Sequence, residues 1–480
     1  GFLSQRAMNL YMGTELVGMN GVISNVISML SVTELGVSTA IVYHLYSALV
    51  GRDERQIATL MNLYRKAYYV FAAVLTVLGL ALIPVVHLFM TNKSYSIGYI
   101  RVLYLLWLLR SVLSYLLSYK KSLLVADQNE YIVSVTTILA NVIGYSAIIL
   151  FVSITGRYLP ALITGIIGDT ILNIWVSWYT DKKYPFLRRY RKEKAGNETI
   201  QKIMNDIKNI FVSRLSQNLL NGTDNLIISG FINVVTVGIF SNYGLITRSV
   251  GNIIRALAMS IQPGVGNLFV EEDHEKNYRV LRQMTFLFFL IVAVAACGLY
   301  VMIDPFVEDI WLGKTFGWDS ASVFLSVTGC IFLGIGQPIA VVMAVSGLFH
   351  REKTLSVLSS VVNLIVSIAL VIPFGTAGVL LGTCLAYLIQ IGYRIYFFFH
   401  EYVKMDEKRY VFDLLEYGVL IAVEVIVTKQ VVHLVYCQSL LTFLLGVGIC
   451  VFIPMTINVS IFCRSGRLKS VKQLFSSVRR

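Results

Sequence analysis

Ser241, Gly244, Arg248, Gly251 and Arg255 recur at intervals of 3, 4, 3 and 4 within an apolar run spanning 237–261. That rhythm places all five on one face of a helix, while the other faces carry Leu, Ile and Val. A guanidinium near the middle of a spanning helix is costly in hydrocarbon, so it faces a wet cavity or a partner. Its planar fork suits phosphate or carboxylate oxygens. The chemistry on offer is therefore anion recognition inside a membrane. The competing reading is a stripe of small residues for helix packing, with the arginines paired to acids. The depth of Arg248 favours cavity lining, whereas Arg255 lies near enough to the end to snorkel.

Other polar groups sit in comparable places. The preceding run carries Arg214, Asn218, Asn221 and Asn225 along one face, with Asp224 beside them; interhelical hydrogen bonding is the alternative use of such amides. Asp224 is either the counter-charge of Arg248 or a proton or cation site, and the sequence leaves both open. In the first half, Ser24, Ser28, Ser31, Glu34 and Ser38 share a face, with Glu34 either an ion-coupling group or a solvated boundary carboxylate. Arg6 lies roughly one or two turns from the outer surface. Arg110 and Asp169 fall near the middle of their runs, at depths that allow them to pair. Glu424 is deep as well, but its place in the last-but-one run makes it the acid least suited to meet a substrate. His44 and His433 carry no ligand pattern.

The elements that must position these groups are apolar runs of spanning length. Behind a first fragment, Gly1–Met12, read as the outer half of a helix, they lie near Val17–Val50, Ala67–Met90, Ile97–Tyr119, Tyr131–Ile154, Leu159–Tyr179, Ile210–Ile232, Val237–Ile261, Met284–Ile303, Ser320–Leu348, Leu355–Pro373, Ala377–Phe399, Phe412–Val435 and Leu440–Cys463. The count is about fourteen. Pro338 and Pro454 interrupt two of them and permit kinks. Only 14% of the 480 residues are charged and 56% are hydrophobic, with mean hydropathy +0.71; soluble domains carry roughly 25% charged residues, so a soluble globular protein is excluded.

Basic residues organise the loops. The longest polar interval, Asp181–Lys208, is lysine- and arginine-rich, and alternate loops repeat the pattern down to the tail Arg464–Arg480. Basic loops stay cytoplasmic, which places both termini inside. It also divides the chain into a six-helix bundle at 1–180, a cytoplasmic linker at 181–208, a second six-helix bundle at 209–400 and two further helices with a basic tail at 401–480. Each half enters from the same side, so a duplication would give parallel repeats; Val17–Val22 is weakly echoed by Val237–Asn242. The net charge of +13 is explained by these loops and by attraction to anionic lipid, not by nucleic acid. Six cysteines without CxxC or Cys/His spacing read as free thiols. No nucleophile elbow, phosphate-binding loop or HExxH appears, so neither a catalytic centre nor a metal site is expected. Asp304–Trp318 is the one sizeable outward loop expected.

The stretch GTELVGMNGVISNVISMLSVTELGVSTAIVYHLY, then MNLYRKAY, SLLVADQNEYIVS, KKYPFL, DNLIISGF, VGIFSNYGLI, DPFVEDIWLGKTF and NLIVSIALVIPFGTAGVLLGT, resembles the polysaccharide repeat-unit flippases (O-antigen, capsule and exopolysaccharide, Wzx-type) of the MATE-like MOP superfamily, over nearly the whole chain. The resemblance implies an all-α integral membrane fold, a V-shaped pair of six-helix bundles plus two helices. It implies a bacterial inner-membrane protein that moves undecaprenyl-pyrophosphate-linked oligosaccharide from the inner to the outer leaflet. A polysaccharide polymerase is an expected partner alongside membrane lipids. Family members often rely on cations in a central cavity; the positions that fit are Arg6, Arg110, Arg214, Arg248 and Arg255, with Asn218 and Asn221 beside them. No cofactor is expected beyond H+ or Na+ coupling through Asp224, Asp169 or Glu34. The rivals are a multidrug exporter of the same fold, which calls for carboxylates dominating the cavity, and a polytopic enzyme of polysaccharide assembly, which calls for a large outward loop or a catalytic His.

Overall fold

The computed structural model describes residues 1–31, 51–89, 94–193, 222–268, 274–346, 348–436 and 438–463, with scattered residues outside these ranges, Arg467 among them. No strand occurs among the described residues. Eight helical stretches among them are long and apolar enough to cross a membrane. The chain divides into two compact units, Gly1–Gly238 and Ile239–Arg480.

In the first unit, α1 (Phe2–Leu30) breaks at Gly13, where φ is 81°, a left-handed value suited to a residue without Cβ. The break separates the expected fragment Gly1–Met12 from the following run. Helix α2 (Glu54–Leu82) starts at Asp53, whose carboxylate accepts from the Gln56 N–H at 2.9 Å. Helix α3 (Ile97–Ser118) starts at Ser96, whose hydroxyl accepts from the Tyr99 N–H at 3.2 Å. Each cap satisfies a first-turn donor that the helix cannot. A short α4 (Lys121–Ala126) leads into α5 (Glu130–Thr155), which ends on left-handed Gly156. Helix α6 (Leu159–Lys183) has Pro160 in its first turn, where the missing N–H costs nothing. A single turn, α7 (Phe186–Arg189), packs on α2, held by the Asn62 Nδ2 donating to the Tyr190 carbonyl at 2.8 Å. Helix α5 lies along α6, α1 along α5, and α3 along α6; these four frame the interior of the unit.

The end of this unit is the start of α8 (Val234–Leu268), and it meets α1 backbone to backbone. A Cβ on Gly18 would collide with the Val234 carbonyl oxygen, and one on Gly238 with the Thr14 carbonyl. The sequence echo around these two glycines thus has a packing reason, since each admits the other helix's main chain. Main chain cannot swing aside as a side chain does. Gly18→Ala should therefore destabilise by about 1–3 kcal/mol, read as a lower melting temperature in detergent. Gly144→Ala, where an added Cβ meets nothing within 4 Å, should leave the melting temperature unchanged or higher.

The second unit holds α9 (His274–Asp304), α10 (Ser320–Ile335), α11 (Gln337–Val345), α12 (Phe349–Phe397), α13 (Lys408–Val435) and α14 (Leu440–Phe462). Its core is α9, covered by α10 on one side and by α13 and α14 on another. Phe286, Phe289, Tyr417 and Phe462 interlock there, Phe289 stacking on Tyr417 at 4.4 Å. The last two helices are therefore part of a core. Helix α12 contains two expected spans as arms joined at Gly375, φ 58°. The arms close through Gly378 against the Leu370 carbonyl and are tied by the Asn363 Nδ2 donating to Thr383 Oγ1 at 3.1 Å. Gly336 breaks the long tenth run, and Pro338 opens α11 rather than kinking a continuous helix; Pro454 lies inside an unbroken α14. Helices α8 and α13 are not among the eight spanning stretches, and the expected count of about fourteen is not settled by the described residues.

The outward loop expected at Asp304–Trp318 is largely helical instead. Helix α9 continues as a π-helical turn, Pro305–Trp311. Val307 and Trp311, four residues apart, bury together with Leu312, so apolar burial carries the helix past the acids that marked its end in the sequence. Asp309 accepts from the Tyr436 hydroxyl at 2.8 Å. Among the described cysteines all are free; Cys297, Cys384 and Cys450 are buried and Cys463 is exposed.

Candidate functional site

Four helices of the first unit each present a polar face to one cavity of about 430 Å³. Helix α1 gives Ser24, Ser28 and Ser31; α3 gives Trp107, Arg110, Ser111 and Ser114; α5 gives Thr136, Thr137 and Asn141; α6 gives Asp169, Thr170 and Asn173. Every set follows the three-and-four spacing of a single helical face. Lys121, from α4, completes the wall.

Arg110 and Asp169 join here: the Arg110 Nε donates to Asp169 Oδ2 at 2.6 Å. The guanidinium lies over the Trp107 ring, 5.4 Å from its centroid, and the Trp107 indole N–H donates to Asn20 Oδ1 at 2.9 Å. Aromatic face and carboxylate together fix the plane of the fork. Only its Nε edge is engaged by the described residues, which leaves the Nη groups to serve a ligand. Burial lowers the Lys121 ammonium pKa from its ordinary value, and the charge of Asp169 opposes that shift. With Lys121 charged, two cations share one carboxylate, so the cavity carries net positive charge.

The hydroxyls differ in what they have left to offer. Ser31, Thr136, Thr137 and Thr170 donate to carbonyls one turn back in their own helices, so their oxygens remain acceptors. Ser24, Ser28, Ser111, Ser114, Asn141 and Asn173 have no side-chain hydrogen bond to another described residue. Such a wall can donate to phosphate oxygens and accept from sugar hydroxyls.

The remaining sequence candidates are not brought into this cavity. Arg6 is exposed near the start of α1. On α8 the expected face divides: Gly244 and Gly251 are buried, while Arg248 and Arg255 are exposed. A Cβ on Gly244 would sit 3.0 Å from the Arg248 Nη2, so the small residue makes room for the guanidinium folded back over it. Asp224 is buried with Thr223 and Asn225. Arg214, Asn218, Asn221 and Glu34 lie outside the described residues. Sequence reasoning missed Lys121, which reads as one more loop charge, and the α3 and α5 hydroxyls. The spacing of Trp107, Arg110, Ser111 and Ser114 was the available signal.

The second unit carries an apolar groove of about 690 Å³ between α10, α12 and α13. Phe332, Ile335, Leu388, Ile391, Leu415 and Val419 line it. Among the described residues no group of three His, Cys, Asp or Glu side chains is placed to hold a metal.

No family model matches the chain, and no curated protein gives a significant match. Solved structures do match it. The lipid II flippase MurJ, in an inward closed conformation, superposes with TM-score 0.73 at 14% identity, covering 96% of each chain. A multidrug resistance MATE family transporter of the MOP superfamily, inward-facing, gives 0.64 at 12% identity over 82% of this chain and 92% of that one. The Vibrio cholerae MATE transporter VcmN in its bent form gives 0.50 at 14% identity over 84% and 95%. These three are transporters or flippases rather than enzymes. The fold is the all-helical fold of MATE transporters and MurJ, and the chain is a multi-pass membrane protein.

Proposed function

We propose that this chain is a flippase for a lipid-linked, phosphorylated oligosaccharide, of the undecaprenyl-pyrophosphate type, moved from the inner to the outer leaflet of a bacterial cytoplasmic membrane by alternating access. The observation that carries the reading is the cationic, hydroxyl-lined cavity built on Arg110, Lys121 and Asp169. Its volume lies in the range of small-ligand pockets, enough for the charged end of a head group and not for a whole oligosaccharide. The apolar groove beside α13 supports the same reading, because a prenyl tail needs such a surface. So does the coverage of 96% of both chains with a lipid II flippase.

In this mechanism the guanidinium Nη groups of Arg110 and the Lys121 ammonium replace water around the phosphates, and the serine and amide wall takes the sugar hydroxyls. Arg248 and Arg255, in the second unit, and Arg6, Arg214, Asn218 and Asn221 are the further candidates for substrate contact. Asp169, Asp224 and Glu34 are the candidates for H+ or Na+ coupling. Both termini are cytoplasmic, as the basic loops require. Outward movement of an anion is helped by a negative interior: two charges across about 100 mV gain roughly 4–5 kcal/mol. Arg248→Ala should abolish flipping of a fluorescent lipid-linked oligosaccharide in proteoliposomes while purified yield and melting temperature stay unchanged. Normal flipping by that variant would remove Arg248 from the mechanism.

The likeness to multidrug transporters favours a second reading, export of amphipathic cations. Two cations against one acid is the wrong balance for such a cargo. Ethidium transport without lipid flipping in the same vesicles would decide for it.

A further inference from the structure

Glu424 is 0% exposed, at the seam where α13 meets α9 and α14. Asn458, 2% exposed on α14, is the polar side chain that reaches it. Neither carboxyl oxygen of Glu424 makes a well-formed hydrogen bond, and neither does the Asn458 Oδ1. The Asn458 amide is the polar group set against the carboxyl, and its one donor group can neither satisfy both oxygens nor neutralise a charge. Leaving buried acceptors unpaired is costly, and an unpaired buried carboxylate is costlier still.

We infer that Glu424 and Asn458 form a proton-binding site buried between α9, α13 and α14. One proton removes the conflict: the carboxylic acid O–H donates to the Asn458 Oδ1, and no charge remains in the seam. The other groups around it agree. From α9 comes the Cys297 thiol, which accepts from the Thr428 hydroxyl at 3.6 Å; from α14 comes the Cys450 thiol beside it. Among the described residues Cys297 is the titratable group of a neighbouring helix that acts on Glu424, with Cys450 next to Cys297. Lys429, the next charged residue on α13, acts on Asp304 instead, and no Arg, Lys or His among the described residues pairs with Glu424. Thiol neighbours are poor ligands for a hard cation such as Na+, so the site takes a proton. Releasing that proton would place a bare carboxylate in the seam that holds α13 and α14 to the core, which gives the C-terminal helices a response to pH. This site is independent of the substrate proposed above.

Infrared difference spectroscopy on the purified full chain, between acidic and alkaline buffer, tests it without a reagent having to enter the seam. The expected result is a C=O stretching band of a protonated carboxylic acid at neutral pH, lost in alkali, absent from Glu424→Gln and shifted in Asn458→Leu. Glu424→Gln should fold, because its amide N–H can donate to the Asn458 Oδ1 as the acid does; Asn458→Leu reports on the band whether or not it does. A wild-type spectrum without a Glu424-dependent acid band at neutral pH overturns the inference. Loss of the band when NaCl replaces choline chloride at constant pH also overturns it, by making the site a sodium site.

Discussion

Asp413→Ala should lower the stability of the second unit by about 2–4 kcal/mol, the largest loss expected from any single truncation in its polar network. The Asp413 side chain is 7% exposed and takes a fork of two bonds from Arg282, 2.6 Å from Nε and 3.0 Å from Nη2. Arg467 approaches its other side at 3.5 Å while also holding Glu416 at 3.2 Å. Breaking a buried pair by removing one partner costs about 3–5 kcal/mol, because the surviving charge stays buried. Here Arg282 and Arg467 keep about a quarter of their surface exposed, so water screens part of that cost. Glu416→Ala, at a carboxylate 32% exposed, should cost under about 1 kcal/mol. Thermal unfolding in detergent separates the two. The double variant Arg282→Met, Asp413→Leu should recover most of the loss, since apolar side chains of similar size remove both charges together. A double variant no better than Asp413→Ala would mean that the lost stability comes from packing and not from charge.

Much of the fold was legible because the membrane imposes a simple grammar. Apolar runs of spanning length gave helices, and the arms of α12 fall where two runs were expected, with Gly375 between them. Of the two prolines expected to interrupt runs, Pro338 sits just past a break, where Gly336 ends α10, whereas Pro454 lies inside an unbroken α14. The failure at Asp304–Trp318 is instructive. Asp304, Glu308 and Asp309 looked like loop chemistry, yet Val307 and Trp311 are spaced to bury on one side and hold a π-helical turn. Local charge and local periodicity disagreed there, and burial decided. Glu424 shows the complementary limit. Its depth could be read from the sequence, but not that α9 and α14 cover both sides of it, because one chain position carries no record of which distant helices will enclose it. The site was half legible for the same reason. Depth alone allowed Arg110 and Asp169 to pair, and they do. That Lys121 joins them depends on α4 folding as a separate short helix after α3, and charge counting along loops does not distinguish it from Lys120.

Arg110→Ala should reduce flipping in proteoliposomes about 10- to 100-fold. The expectation follows from the loss of charge-assisted hydrogen bonds to a phosphate, worth about 1.5–3 kcal/mol, at about 1.4 kcal/mol per factor of ten. The same change leaves Asp169 without its 2.6 Å partner, so lost transport alone would not tell recognition from folding. Two further variants do. Arg110→Lys keeps the charge and loses the fork, and should retain the melting temperature while transport falls by an intermediate factor. The exchange Arg110→Asp with Asp169→Arg restores an ion pair between α3 and α6 but moves the guanidinium away from Trp107, whose ring now orients it. Stability should return and transport should not. If the exchanged pair flips substrate normally, the Arg110–Asp169 contact is a strut between two helices and the substrate phosphate is held elsewhere. If it stays folded and silent, the position of the fork in the cavity, and not merely its charge, is what the substrate requires.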